Sequence, residues 1–247
     1  MSNLVAAELR KARSIRTTWL LTAAALGFCA LWTVVSVLTL DDPGQAGLAL
    51  EQRVQNVYQM AQQAYLFALI LGIFAMAGEH RHRTLTLTLL ITPRRTRVLA
   101  AKLVACTLIG SAIAVAAVVV TAGVAMPLLA ATGRPVIVPG IAAILAGSAL
   151  STVLYTTLGV GVGALVRSQV AGVAVAVVWF LYAEYLLVWL VPAVGRWLPG
   201  GAAKAVSGWN LGGGELLPVW AGGLLFVAYT LLVTVAAGAI TARRDVA

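Results

Sequence analysis

The chain has 247 residues, 61% hydrophobic and 10% charged, and its mean hydropathy of +0.97 excludes a soluble domain, whose apolar content must be matched by a solvated surface. It reads as a membrane protein. The net charge of +9 invites a nucleic-acid reading, but the bases are sorted by position along the chain, and anionic lipid is their natural counter-charge.

Residues 2–16, SNLVAAELRKARSIR, place Val5, Leu9, Ala12 and Ile15 near one side of a helix and Glu8, Arg10, Lys11 and Arg13 elsewhere. That pattern suits a helix lying in the headgroup layer; the alternative is an ordinary basic flank. Six intervals of little or no formal charge follow, each able to supply the roughly 20 residues that cross a bilayer core. They predict spans at about 18–40, 58–78, 99–126, 139–166, 169–192 and 217–241, an all-α polytopic domain over 1–247 with 1–17 as its interfacial helix. Trp19 opens the first span at aromatic-belt depth, and its apolar run is too long for a cleaved signal peptide. Asp41-Asp42-Pro43-Gly44 is a turn. The second span starts poorly, because VQNVYQMAQQ is polar; a start near Tyr58 is expected, with the outer turns shielded by protein or at the surface. Cys29 and Cys106 both fall in spans and read as small apolar residues.

With the N-terminus inside, thirteen of the seventeen Lys and Arg fall on the cytosolic side, so both termini are expected there. Six of these bases crowd into 78–102, GEHRHRTLTLTLLITPRRTRVLAAK. A positive-inside loop explains the arginines alone. Glu79 ends a hydrophobic span, Thr84 can cap a short helix, and Pro93 breaks the apolar stretch before Arg94, Arg95 and Arg97. Two short helices around Pro93 would make a compact cytosolic knob suited to docking another protein. His80 and His82 lack partners in sequence for a metal shell and sit among arginines that repel a cation, so no metal site is expected.

TGRPVIVP is a short connection, making the third and fourth spans antiparallel neighbours. Gly159 and Gly163 in the fourth would let two helices approach closely; a nucleotide-binding glycine loop is a poor reading inside an uncharged span. Glu184 is the one acid inside a predicted span, roughly 22 Å along a helix from Gln169, and must face protein or water. It is read either as part of a transport path or its outer gate, or as a structural hydrogen bond to a Tyr or Trp. Residues 193–216, rich in Gly, Pro and Trp, form short interfacial helices or a re-entrant segment. The sequence holds no G-x-x-x-x-G-K-[ST] and no paired acids, Ser/His or Cys/His in the spans, so neither ATP hydrolysis nor intramembrane catalysis is expected. No inverted repeat of the kind found in secondary carriers is evident.

The order Glu79, Arg83-Thr84, Pro93-Arg94-Arg95 and Lys102 resembles the permease subunits of ABC-2 type transporters, with Arg83 where relatives carry Gly. LRKARSIRTTW is similar to their elbow helix, and YAEYLL with LPGGAA to the span-five acid and outer loop of a bacterial subgroup. The resemblance implies a half-transporter of the bacterial plasma membrane that pairs with a second, identical half. It also implies two copies of a separate cytosolic ATPase, which carries the ATP and Mg and docks on Glu79, Arg81, Arg83, Thr84, Pro93, Arg94, Arg95, Arg97 and the elbow. Export of an amphiphilic drug, antibiotic or peptide follows, with membrane lipids as neighbours, no nucleic acid and no cofactor on this chain. Two competitors stand beside it: a carrier or channel working without ATP, and a membrane scaffold for an ATPase.

Overall fold

The computed structural model describes residues 2–45, 47–82, 95–166, 168–208 and 216–243, with side-chain detail for most of them. All regular structure among them is helical. Helix α1, Ser2–Ser14, is separated from α2, Arg16–Leu38, by Ile15, whose extended backbone (φ −86, ψ 117) breaks the ladder and turns the chain. After a 3₁₀ turn at Pro43–Gln45 come α3, Leu50–Tyr58, a 3₁₀ segment at Gln59–Ala64, and α4, Tyr65–His82. Then follow α5, Arg95–Ala131, and α6, Ile141–Val166. Helix α7, Gln169–Val177, runs through a π turn, Val178–Ala183, into α8, Glu184–Leu190. Two short helices, α9 at Pro192–Gly195 and α10 at Pro199–Ser207, precede α11, Val219–Arg243.

Five stretches among the described residues are long and apolar enough to cross a membrane: Arg16–Leu38, Leu50–Gly78, Ala100–Ala131, Ile141–Val166 and Val219–Ile240. The remaining predicted span is divided by the π turn, and its apolar portion, Gln169–Ala183, is shorter than the roughly 20 residues a crossing takes. The second stretch corrects the sequence expectation: helix begins at Leu50, not near Tyr58. Its polar turns are inside the protein. Val54, Val57 and Tyr58 are fully buried, the Tyr58 hydroxyl donates to the Val136 carbonyl (2.7 Å), and the Gln59 amide donates to the Gly208 carbonyl (2.8 Å). Helix α5 is also longer than expected, absorbing Arg95 to Val98, and ends on a glycine-capped turn. Gly133 takes a left-handed backbone (φ 68), its N–H donates to Ala130, and the Arg134 N–H donates to Leu129, the paired bonds of a Schellman motif.

Helix α6 occupies the centre, packed on α4, α5, α10 and α11. Its glycines set the spacing. A Cβ on Gly159 would strike the Leu69 carbonyl of α4, one on Gly163 the backbone of Ile73, and one on Gly72 the Thr156 carbonyl. Lipid tails give no apolar driving force for helix association, so this backbone contact supplies attraction through dispersion. Beside it, Tyr155 forms an aromatic cluster with Tyr65, Phe180 and Phe226 at centroid distances of 4.7 to 5.3 Å. Two buried threonines of α6 bond back along their own helix, Thr152 donating to the Ser148 carbonyl and Thr156 to the Thr152 carbonyl, each one turn back (2.9 Å).

Overpacking this contact, as in Gly159→Val, is expected to destabilise the protein by about 1–3 kcal/mol. Thermal unfolding in detergent checks it against Gly123→Ala, where a Cβ meets nothing within 4 Å and the melting temperature should hold.

Candidate functional site

Polar chemistry concentrates at the two ends of the bundle. At the end carrying the N-terminus, Lys102 on α5 is 2% exposed and its Nζ lies 2.6 Å from Glu8 Oε2 on α1. The pair joins residues far apart in sequence, one on the short N-terminal helix and one on the third of the long apolar stretches. An amphipathic helix puts Glu8 on the side facing α5, and the buried Lys102 draws it in. The C-terminus of α4 and the N-terminus of α5, the two roots of the basic loop, emerge at this same end, where Gly78 and Lys102 line one cavity with Glu8.

Of the predicted docking residues, Arg83, Thr84, Pro93 and Arg94 lie outside the described residues, and so do the expected helices around Pro93 up to Arg95. Glu79 and Arg81 fall in the last turns of α4, Arg95 and Arg97 in the first turn of α5; only their backbone is described. Sequence reasoning placed Lys102 among the loop's bases without finding its partner. Nothing periodic links it to Glu8.

At the opposite end, Glu184 is 4% exposed. Its Oε1 accepts the backbone N–H groups of Gly200 (2.5 Å) and Gly201 (3.2 Å), in the first turn of α10. Helix α10 has Leu198 at its N-cap, with no side-chain cap of its own, so the carboxylate satisfies donors that would otherwise be orphaned and meets the positive end of the helix dipole. The partner is therefore backbone, in place of the Tyr or Trp that the sequence allowed. Gly200 permits it, since a Cβ there would press on the carboxyl. Lys204, one turn further on, also feels Glu184: burial pulls its ammonium below the ordinary range, and the carboxylate pushes it back up.

Helix α10 is held on its other sides by small residues. A Cβ on Gly147 of α6 would strike the Val206 carbonyl, and Gly222 of α11 faces Ala202 and Ala205. Helix α10 is thus a short helix buried against α6 and α11, while α9 packs on α8 and leaves Val194 exposed; 209–215 lie outside the described residues. Around them Asp41 pairs with both Arg53 (3.7 Å) and Arg134, tying the connections of that end together.

A family model described as an ABC-2 family transporter protein matches residues 4–183, from α1 through the π turn. No curated protein matches the chain.

Truncating Glu184 to Ala removes the acceptor shared by two helix N–H groups, a loss of about 0.5–2 kcal/mol for a cap. Hydrogen exchange of a peptide covering 193–208 should accelerate by roughly 2- to 30-fold, while exchange in α6 is unchanged. Breaking the other ion pair by Lys102→Met leaves Glu8 uncompensated at a partly buried site. The melting temperature should fall, and the double variant Glu8→Gln with Lys102→Met should recover part of it.

Proposed function

The chain belongs to the ABC-2 family of transporter membrane proteins, and from that premise we propose that it is the membrane-spanning half of an ATP-driven exporter, energised by a separate ATPase. The observation that carries this reading is the family match, which spans α1, the basic loop and the central helices. Membership implies an ABC ATPase as partner, since proteins of this family are permease subunits.

The finer reading is as follows. Two identical chains pair, and one ATPase docks beneath each. Both termini and residues 79–98 face the cytosol of a bacterial cell. The loop offers Glu79, Arg81, Arg83, Thr84, Pro93, Arg94, Arg95 and Arg97 to the ATPase, with ATP and Mg held by that partner. Closure of the ATPase pair on ATP pushes this loop, and α5, which begins at Arg95, carries the displacement into the membrane. Three features support the route. The two roots of the loop share one end of the bundle with α1, Glu8 and Lys102 join α1 to α5, and α5 packs directly on α6. A two-state response needs a part that holds and a part that yields. The glycine-sealed contact of α4 with α6 holds. At the far end Glu184 clips α10 through two hydrogen bonds, a clasp small enough to open and close as an outer gate. The transported compound is amphiphilic, a drug-like molecule, antibiotic or peptide, in keeping with an apolar bundle whose charged side chains, among the described residues, lie toward its ends.

Co-expression of the chain with its ATPase, followed by reconstitution, tests this. Glu79→Ala and Arg95→Glu should each reduce ATP-dependent transport by at least about tenfold, equivalent to roughly 1.4 kcal/mol of coupling, while the purified chain keeps its melting temperature. Wild-type transport in both variants, or full transport by the chain without an ATPase, would overturn the proposal.

A further inference from the structure

Two cavities lie beneath α1. The larger, about 610 Å³, opens between α1, α2, α4 and α5; the smaller, about 370 Å³, lies between α1, α2 and α5. Both fall in the size range of small-molecule sites. They share Ala12, Thr18 and Ile109 as a common wall, so a single ligand can straddle it. The break at Ile15 accounts for the space: α1 leaves the axis of α2 there, and Ile15 lines the larger cavity.

The lining is divided by chemistry. Glu8, Lys11 and Lys102 line the larger cavity and Arg13 the smaller; Lys102 is buried and paired with Glu8, so the positive balance among the described lining residues comes from Lys11 and Arg13. Leu21, Leu71 and Phe74 lie in the larger, Leu108 and Ile113 in the smaller. Trp19 marks the depth. Its ring is 62% exposed while its Nε1 donates to the Arg13 carbonyl (2.8 Å), the posture of an aromatic at a headgroup boundary.

We propose that the two cavities together seat one anionic two-chain membrane lipid from the leaflet on the N-terminal side. Its phosphate meets Lys11 and Arg13, and one acyl chain enters each cavity on either side of Ala12, Thr18 and Ile109. The positive balance at the rim selects an anionic head, and the paired apolar floors select two chains over one. The lipid would act as a wedge between α1 and the spans, so that α1 tilts with the bilayer as well as with the Glu8–Lys102 pair.

The test uses the full-length protein in mild detergent, titrated with phosphatidylglycerol or with phosphatidylcholine and counted by native mass spectrometry. The wild type should retain one phosphatidylglycerol per chain in preference to phosphatidylcholine. That preference should fall by roughly fivefold for each base neutralised in Lys11→Gln and Arg13→Gln. Ala12→Phe, on the surface of α1 and in the wall common to both cavities, should reduce retention of both lipids without lowering the melting temperature. Equal retention of the two lipids by the wild type, unchanged retention in all three variants, or displacement by free glycerol phosphate at equal concentration would overturn the proposal. No ATPase enters this measurement, so its outcome is separate from that of the transport reading.

Discussion

The backbone contact between α4 and α6 is the constraint on which the other packing depends. In water, two apolar helices associate because water is released; between lipid tails that gain is absent, and only close dispersion contact and hydrogen bonding remain. Gly72, Gly159 and Gly163 remove the side chains that would hold the two backbones apart. Once α6 is fixed there, its other faces become the seats for α5, α10 and α11. Ser148, Ser151, Thr152 and Thr156 are then enclosed, and the Thr hydroxyls avoid a penalty by bonding back along their own helix. A polar side chain in this protein is tolerated where it finds a backbone partner at hand.

The same rule separates the middle of the bundle from its ends. The middle is sealed by glycine and aromatic packing, which leaves little room for graded movement because a close-packed contact is either made or lost. The ends are joined by few, discrete polar links: Glu8 with Lys102 on one side, Glu184 with the first turn of α10 on the other. Each link joins two separate helical elements, and the roots of α4 and α5 lie at the end that holds the first of them.

How much of this could be read from the sequence varies with the range of the interaction. Helices α6 and α11 start and end within two residues of the apolar runs that predict them, because span length is a property of contiguous residues. Gly159 and Gly163 announce a close contact through their spacing, but the sequence leaves the opposite helix unnamed, since Gly72 has no second glycine four residues away in LILGIFAMAG. The start of the second span was misplaced for a physical reason. Gln59 and Gln62 look like solvated residues until Gly208 and Ser151, from distant parts of the chain, supply their partners. Glu184 was conspicuous as an acid among apolar residues, yet its partners were invisible: the donors are the backbone N–H groups of Gly200 and Gly201, which carry no sequence signature.

The π turn is what makes the Glu184 link geometrically possible. On α7 the residues that face inward are Gly172 and Ala176, both buried, and continuing by fours leads through Phe180 to Glu184. In a regular α-helix each step of four overshoots a full turn by about 40°, so three steps carry the last residue about 120° away from the first. A π turn is wider, closing i to i+5, and holds one more residue per loop, which sets the phase back by about 100°. Placed at Val178–Ala183, directly before Glu184, it returns the carboxylate to the inward side while Val178, Leu181 and Tyr182 stay exposed. Without that correction the carboxylate would point toward lipid, where an ionised acid costs about 2.5–3.5 kcal/mol near the bilayer centre, and α10 would lose its cap. The irregular turn and the acid after it are thus one device, and neither is of use to this end of the bundle without the other.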